Sequence, residues 1–143
     1  MNIKVNNTAK ACADEEILIN ASAKRVYKIL ADIKNWPVWQ SSVTRAEIDE
    51  EPAGGSEFIW KAGGLKIHSR LHTVNPFTEF GWTGRMMWIK AIHNWRFEET
   101  DGNCLVKVEE SLEGFLAGFM KNSLQKGMIE SLKELKAEAE KDR

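Results

Sequence analysis

The spacing of apolar residues changes period twice along the chain, and the changes mark out its elements. Residues 16–20, Glu-Ile-Leu-Ile-Asn, make a short apolar run after Asp14 and Glu15 and read as a strand, with residues 3–13 as a weakly patterned extension. Ser22 then stands as an N-cap before Val26, Tyr27, Ile29, Leu30 and Ile33, a stripe at i, i+3, i+4 and i+7 that predicts an amphipathic helix of about three turns. It stops near Asn35, because Pro37 disfavours the helical region for Trp36. The segment Asn35-Trp-Pro-Val-Trp39 reads as a compact turn or second short helix carrying two indoles.

Over residues 43–113 the period is 2, and turn signals recur at Pro52-Ala-Gly-Gly55, Gly63-Gly64, Asn75-Pro76 and Asp101-Gly102. Antiparallel strands joined by hairpins follow. After Gly114 the helical period returns, with Leu116, Phe119, Met120, Leu124, Met128, Leu132, Leu135 and Ala139 on one face of a single long helix whose charged end is expected to be solvated. Strand, helix, run of strands, helix is the α+β layer pattern. About six or seven strongly twisted strands would curl around the last helix and leave a hollow walled by side chains that cannot all reach it.

A two-residue turn fixes which residues face each other, so two hairpins yield a register. With Asp101-Gly102 central, Phe97 faces Val106, Trp95 faces Val108, His93 faces Glu110 and Ala91 faces Leu112, all on one face. Asn94, Arg96, Glu98, Lys107 and Glu109 populate the other, as on a wetted surface. Counting about Gly63-Gly64 puts Trp60 opposite Ile67 and Phe58 opposite Ser69 on the inner face, which Leu71, Phe80 and Trp82 continue. Only Ser69, His93 and Glu110 are polar there.

Length and charge narrow the functional classes. The 143 residues, 43% of them apolar, suit one domain with a real core, spanning residues 1–143. Twenty Lys and Arg against 21 Asp and Glu lack the basic excess of a nucleic-acid-binding domain, so nucleic acid is not an expected partner. Cys12 and Cys104 show no Cys-x-x-Cys spacing, which suggests neither a disulfide framework nor a thiolate metal site and fits a reducing compartment. The polar opening and the lack of an apolar run of about 18 residues predict a soluble, cytoplasmic protein without a membrane span. His68 and His72 share the outward face about 13 Å apart, too far for one metal ion. No phosphate-cradling loop, dinucleotide fingerprint or nucleophile elbow occurs, so no metal or cofactor is expected.

The stretch Ile17-Leu-Ile-Asn-Ala-Ser-Ala-Lys-Arg-Val-Tyr-Lys-Ile-Leu-Ala-Asp-Ile-Lys-Asn-Trp-Pro-Val-Trp39 resembles the opening of the START-like (SRPBCC) superfamily. That superfamily includes the polyketide cyclase/dehydrase and lipid-transport group and the birch-pollen-allergen relatives. The resemblance runs on through Gly55-Ser-Glu-Phe-Ile-Trp60, Phe80-Gly-Trp-Thr-Gly84, Ala91-Ile-His-Asn-Trp95 and Glu110-Ser-Leu-Glu-Gly114 to the final helix. It implies the helix-grip fold, a curved antiparallel sheet around a long C-terminal helix with an apolar cavity between them. It also implies binding, with or without transport, of a small hydrophobic molecule such as an aromatic, polyketide-like or lipid-like compound. Cyclisation or dehydration of a polyketide is the enzymatic alternative, and a partner-binding module similar to the Hsp90 activator is the third.

The residues give each reading a candidate site. A carboxylate opposite an imidazole in an apolar setting makes His93 and Glu110 candidates for proton transfer, for hydrogen bonding to a ligand, or for a buried pair that fixes register. Trp60, Trp82, Trp95 and Phe97 are candidate apolar contacts, and equally candidate core. Ser69 could donate to a ligand oxygen, and Phe119, with Phe115 and Met120, could floor the cavity. Trp36 and Trp39 would sit near the cavity mouth by resemblance, or else anchor their short helix. An exposed apolar patch over a filled interior would favour the partner module. The sequence leaves the oligomeric state unknown.

Overall fold

A computed structural model describes residues 3–141. Seven strands alternate with turns: β1 (Ala11–Ile19), β2 (Val43–Ile48), β3 (Glu57–Ala62), β4 (Leu65–Asn75), β5 (Glu79–Met86), β6 (Ile89–Thr100) and β7 (Asn103–Gly114). Three helices accompany them, α1 (Ala23–Ala31), α2 (Trp36–Trp39) and α3 (Lys121–Ala139), with 3-10 turns at Ile33–Asn35 and Ala117–Met120. The strands form one antiparallel sheet in the order β1-β7-β6-β5-β4-β3-β2, so β2 to β7 are successive hairpins and β1 returns to the far edge beside β7. The sheet curves about α3, which lies against β1 and α1; this is the helix-grip fold.

Both hairpin registers are as the turns dictate. Thr100 faces Asn103 and His93 faces Glu110, while Ala62 faces Leu65 and Phe58 faces Ser69. Asp101 and Gly102 both take positive φ, 51° and 82°, the geometry of the primed turn that an Asp-Gly pair favours. Ser22 caps α1 by accepting from the Arg25 amide at 3.1 Å. Trp36 is fully buried at the start of α2, and its indole N–H donates to the Leu30 carbonyl at 2.8 Å. That bond fastens the Trp-Pro turn beneath α1.

Three elements differ from the sequence reading. The first strand begins at Ala11, because every residue from Ala11 to Ile19 finds a partner on β7. The preceding residues do not extend it but cross the outer face of the sheet. There Asn94 donates to the Ile3 carbonyl at 2.8 Å, and the Asn6 amide donates to the Ser111 hydroxyl at 3.1 Å. Part of the face expected to be wetted is therefore covered, and Ser111, Ile92 and Thr73 are buried.

The third difference is the start of the long helix. Leu116 adopts a left-handed conformation (φ 67°), residues 117–120 form a 3-10 turn, and α3 begins only at Lys121. A 3-10 turn advances three residues per turn, so the 3.6-residue stripe loses its phase across it. Met128, Leu132, Leu135 and Ala139 keep the buried face, but Phe119 swings out and is 84% exposed. Phe119 is consequently no part of a cavity floor, and neither is the exposed Phe115; Met120 alone of the three packs inward, against a small cluster with Ala11 and Ile89.

Candidate functional site

The concave face of the sheet is an aromatic layer. Trp36, Phe58, Trp60 and Trp82 meet one another with ring centroids 5.2 to 6.4 Å apart, mostly edge to face. Each such contact adds roughly 0.5–1.5 kcal/mol to the burial itself. Trp60 and Trp82, which the sequence reading allotted to a cavity wall, thus touch one another, with Trp36 from α2 packed against both. Phe97 packs edge to face on Tyr27 of α1 at 5.5 Å. It belongs to the packed end of the layer.

Ser69 is occupied as well. Its hydroxyl accepts the Trp60 indole N–H at 3.0 Å, so the serine holds an indole in place. Two depressions of several hundred Å³ lie away from this layer. One, about 600 Å³, is on the outer face and is walled by Asp14, Gly81, Asn94, Arg96, Lys107 and Glu109. The other, about 630 Å³, lies between α1 with its following turn and the 48–52 and 76–77 loops.

His93 and Glu110 adjoin the packed rings on β6 and β7. Facing each other across β6 and β7, they bring Nδ1 within 3.3 Å of Oε1, an ion-pair distance without hydrogen-bond alignment. The His93 ring stacks on Trp95, with centroids 5.5 Å apart and planes 13° from parallel, and lies 4.5 Å from the Trp82 centroid. Their side chains are 14% and 15% exposed, so the pair is not sealed from solvent. Two ring nitrogens here, His93 Nε2 and Trp95 Nε1, are buried without a hydrogen-bond partner among the described residues, as is Trp39 Nε1 on α2. Leaving such a group unmade costs about 1–3 kcal/mol, which an oxygen atom placed among them would recover.

Both cysteines are free thiols, Cys104 buried and Cys12 partly so. Burial pushes the Cys104 thiol up to about 11, helped by the negative charge of Glu99, and also raises Cys12. Among the described residues no group of three or more His, Cys, Asp and Glu is arranged to hold a metal ion. No helix among them is long and apolar enough to cross a membrane.

The polyketide cyclase/dehydrase and lipid transport family matches residues 10–140, nearly the whole fold just described. The chain belongs to that family. Its solved structural neighbours share the fold at low identity. A hypothetical protein of Helicobacter pylori superposes with a TM-score of 0.84 at 14% identity, over 97% of this chain and 98% of that one. The Zhui aromatase/cyclase from a Streptomyces species gives 0.80 at 16% identity, over 90% and 93%. A START superfamily protein from Mycobacterium smegmatis gives 0.79 at 13% identity, over 90% and 97%. No curated protein matches the sequence.

Sequence reasoning found His93 and Glu110 through a turn type and a count. It offered Trp36 and Trp39 as residues near a cavity mouth or as anchors of their short helix, and Trp36 lies against Trp82 in the aromatic layer, as the fold-back of α2 under α1 dictates. The Trp-Pro-x-Trp spacing was the available signal.

Proposed function

We propose that residues 1–143 act as one domain that binds a small, largely apolar molecule bearing a carbonyl or hydroxyl oxygen, on the concave face beside His93 and Glu110. The observation that carries this reading is the set of unpartnered ring nitrogens, His93 Nε2 with Trp95 Nε1, in an otherwise apolar aromatic layer beside the partly exposed His93–Glu110 pair. Family membership supports the ligand class. In this reading Trp82 and Trp95 supply stacking area, and His93 with Glu110 supplies polar contact. Trp60, Ser69 and Phe97 shape the site from behind. Because the Trp36 cluster fills much of the layer, the ligand is a compact one, or its entry displaces a ring. The two free cysteines support a cytoplasmic setting.

The His93–Glu110 distance favours a second reading, a cyclase or dehydratase. His93 would move a proton at Nε2 while Glu110 orients the ring through Nδ1. Native mass spectrometry after mild purification tests the first reading, with a stoichiometric hydrophobic passenger expected and its absence under every lysate condition counting against it. His93→Ala and Glu110→Gln separate the two, since a binder is weakened by them and an enzyme loses turnover.

A further inference from the structure

One end of the sheet breaks the rules for a water-facing tip. The β5–β6 hairpin turns through Met87-Trp88, where Gly, Asn, Asp and Pro are the usual occupants. Met87 holds φ at 51° and Leu116 holds 67°, left-handed conformations that cost a non-glycine residue roughly 1–2 kcal/mol each. The two turns are fastened together. Trp88 meets Phe115 edge to face at 6.3 Å, and Gly114, at φ 128°, leaves its Cβ position to the Trp88 carbonyl. Met87, Trp88, Phe115, Leu116 and Phe119 are each more than half exposed there. Five large apolar side chains at one tip far exceed the scattered exposure normal for a surface.

Charge collects around the same end. Lys61 faces Lys66 across the β3–β4 hairpin and Arg85 faces Lys90 across β5–β6, both on the outer face. Like charges directly opposite are destabilising. Lys10, just before β1, and Lys121, at the start of α3, add two more exposed cations. None of the six has an ion pair among the described residues; Glu113, opposite Lys90, accepts a hydrogen bond from Asn6 at 2.8 Å. Topology sends Asp49, Glu50, Glu51 and Asp101 to the opposite end of the sheet, where Lys28 and Lys34 stand beside the first three. The tip itself is predominantly cationic.

We propose that the Met87-Trp88 tip, with residues 115–119 and its rim of cations, docks on an anionic lipid bilayer. Such surfaces attract lysines near a headgroup layer and take Trp, Phe and Leu into the interface. The rim chooses lipid over protein. Protein interfaces are enriched in Arg and depleted in Lys, whereas five of these six cations are lysines. The apolar residues also protrude from turns, as insertion requires. The surface shares no residue with the ligand site.

Flotation with phosphatidylcholine vesicles, with and without phosphatidylglycerol, tests the proposal. The protein is expected to float with the anionic vesicles and to dissociate as salt is raised. Lys61→Gln and Lys66→Gln should each weaken binding about fivefold, and Trp88→Ala combined with Phe119→Ala about tenfold or more, with circular dichroism unchanged. His93→Ala should leave flotation intact, so the two proposals can fail separately. No flotation at low salt, flotation indifferent to lipid charge or to the Trp88 change, or burial of the tip by a second copy or a protein partner would each overturn it.

Discussion

Ser69 and Trp60 are diagonal neighbours across β3 and β4, and the serine hydroxyl accepts the indole N–H at 3.0 Å inside the aromatic layer. Ser69→Ala should therefore destabilise the fold by about 1–3 kcal/mol, the cost of a buried donor left unpaired. Urea denaturation would measure it. A serine serving only a bound ligand would leave the ligand-free midpoint unmoved.

Trp36 should be the costliest of the indoles to shorten. Trp36→Phe removes the bond to the Leu30 carbonyl and opens a gap among Phe58, Trp60 and Trp82. A loss of about 3 kcal/mol is expected from the unpaired carbonyl and the cavity together. Thermal unfolding of the pure variant reads it, and a change under about 1 kcal/mol would mean that the layer repacks freely.

Gly81 lies on the outer face, where a Cβ would stand 2.6 Å from Asn94 Oδ1 and 2.7 Å from His72 Cε1. Gly81→Ala must push aside the Asn94 side chain that donates to the Ile3 carbonyl. The expected cost is about 1–3 kcal/mol. Faster amide exchange over residues 3–10 should accompany it, and unchanged exchange there would separate Gly81 from the covering segment.

Cys104 makes stability fall in alkali. Its thiol titrates near 9.0 when unfolded and at about 11 in the buried native site, so across that window the unfolded chain holds fewer protons than the native one. Stability contributed by the protonated thiol is complete below pH 9.0 and lost as pH approaches about 11, by roughly 2–3 kcal/mol. Comparing urea midpoints of wild type and Cys104→Ala at about pH 8 and about pH 11 isolates the thiol. The wild type should lose more. Parallel losses would assign the alkaline weakness to other groups, among them the buried Tyr27, whose hydroxyl is also raised.

The sheet was readable because turn chemistry fixes register: Asp101-Gly102 alone places His93 opposite Glu110. Phe119 was not, since a projected helical stripe assumes one unbroken period, and the left-handed turn falls on Leu116 and not on its neighbours Gly114 or Gly118. Residues 3–10 show little pattern because they are held by bonds to Asn94 and Ser111 side chains, not by a strand ladder. The register of Ser69 opposite Phe58 was legible, but its bond to the Trp60 indole was not. Counting directly opposed residues overlooks the diagonal reach of an indole.

The skewed packing of Trp36, Trp60 and Trp82, with ring planes 42° to 88° apart, has an optical consequence. Indole transition dipoles held close in a fixed chiral arrangement couple to give intense near-ultraviolet circular dichroism, a signal that vanishes when side-chain packing is lost. Any guest that parts those rings must rewrite the spectrum, so the protein carries a built-in, label-free reporter of its own occupancy.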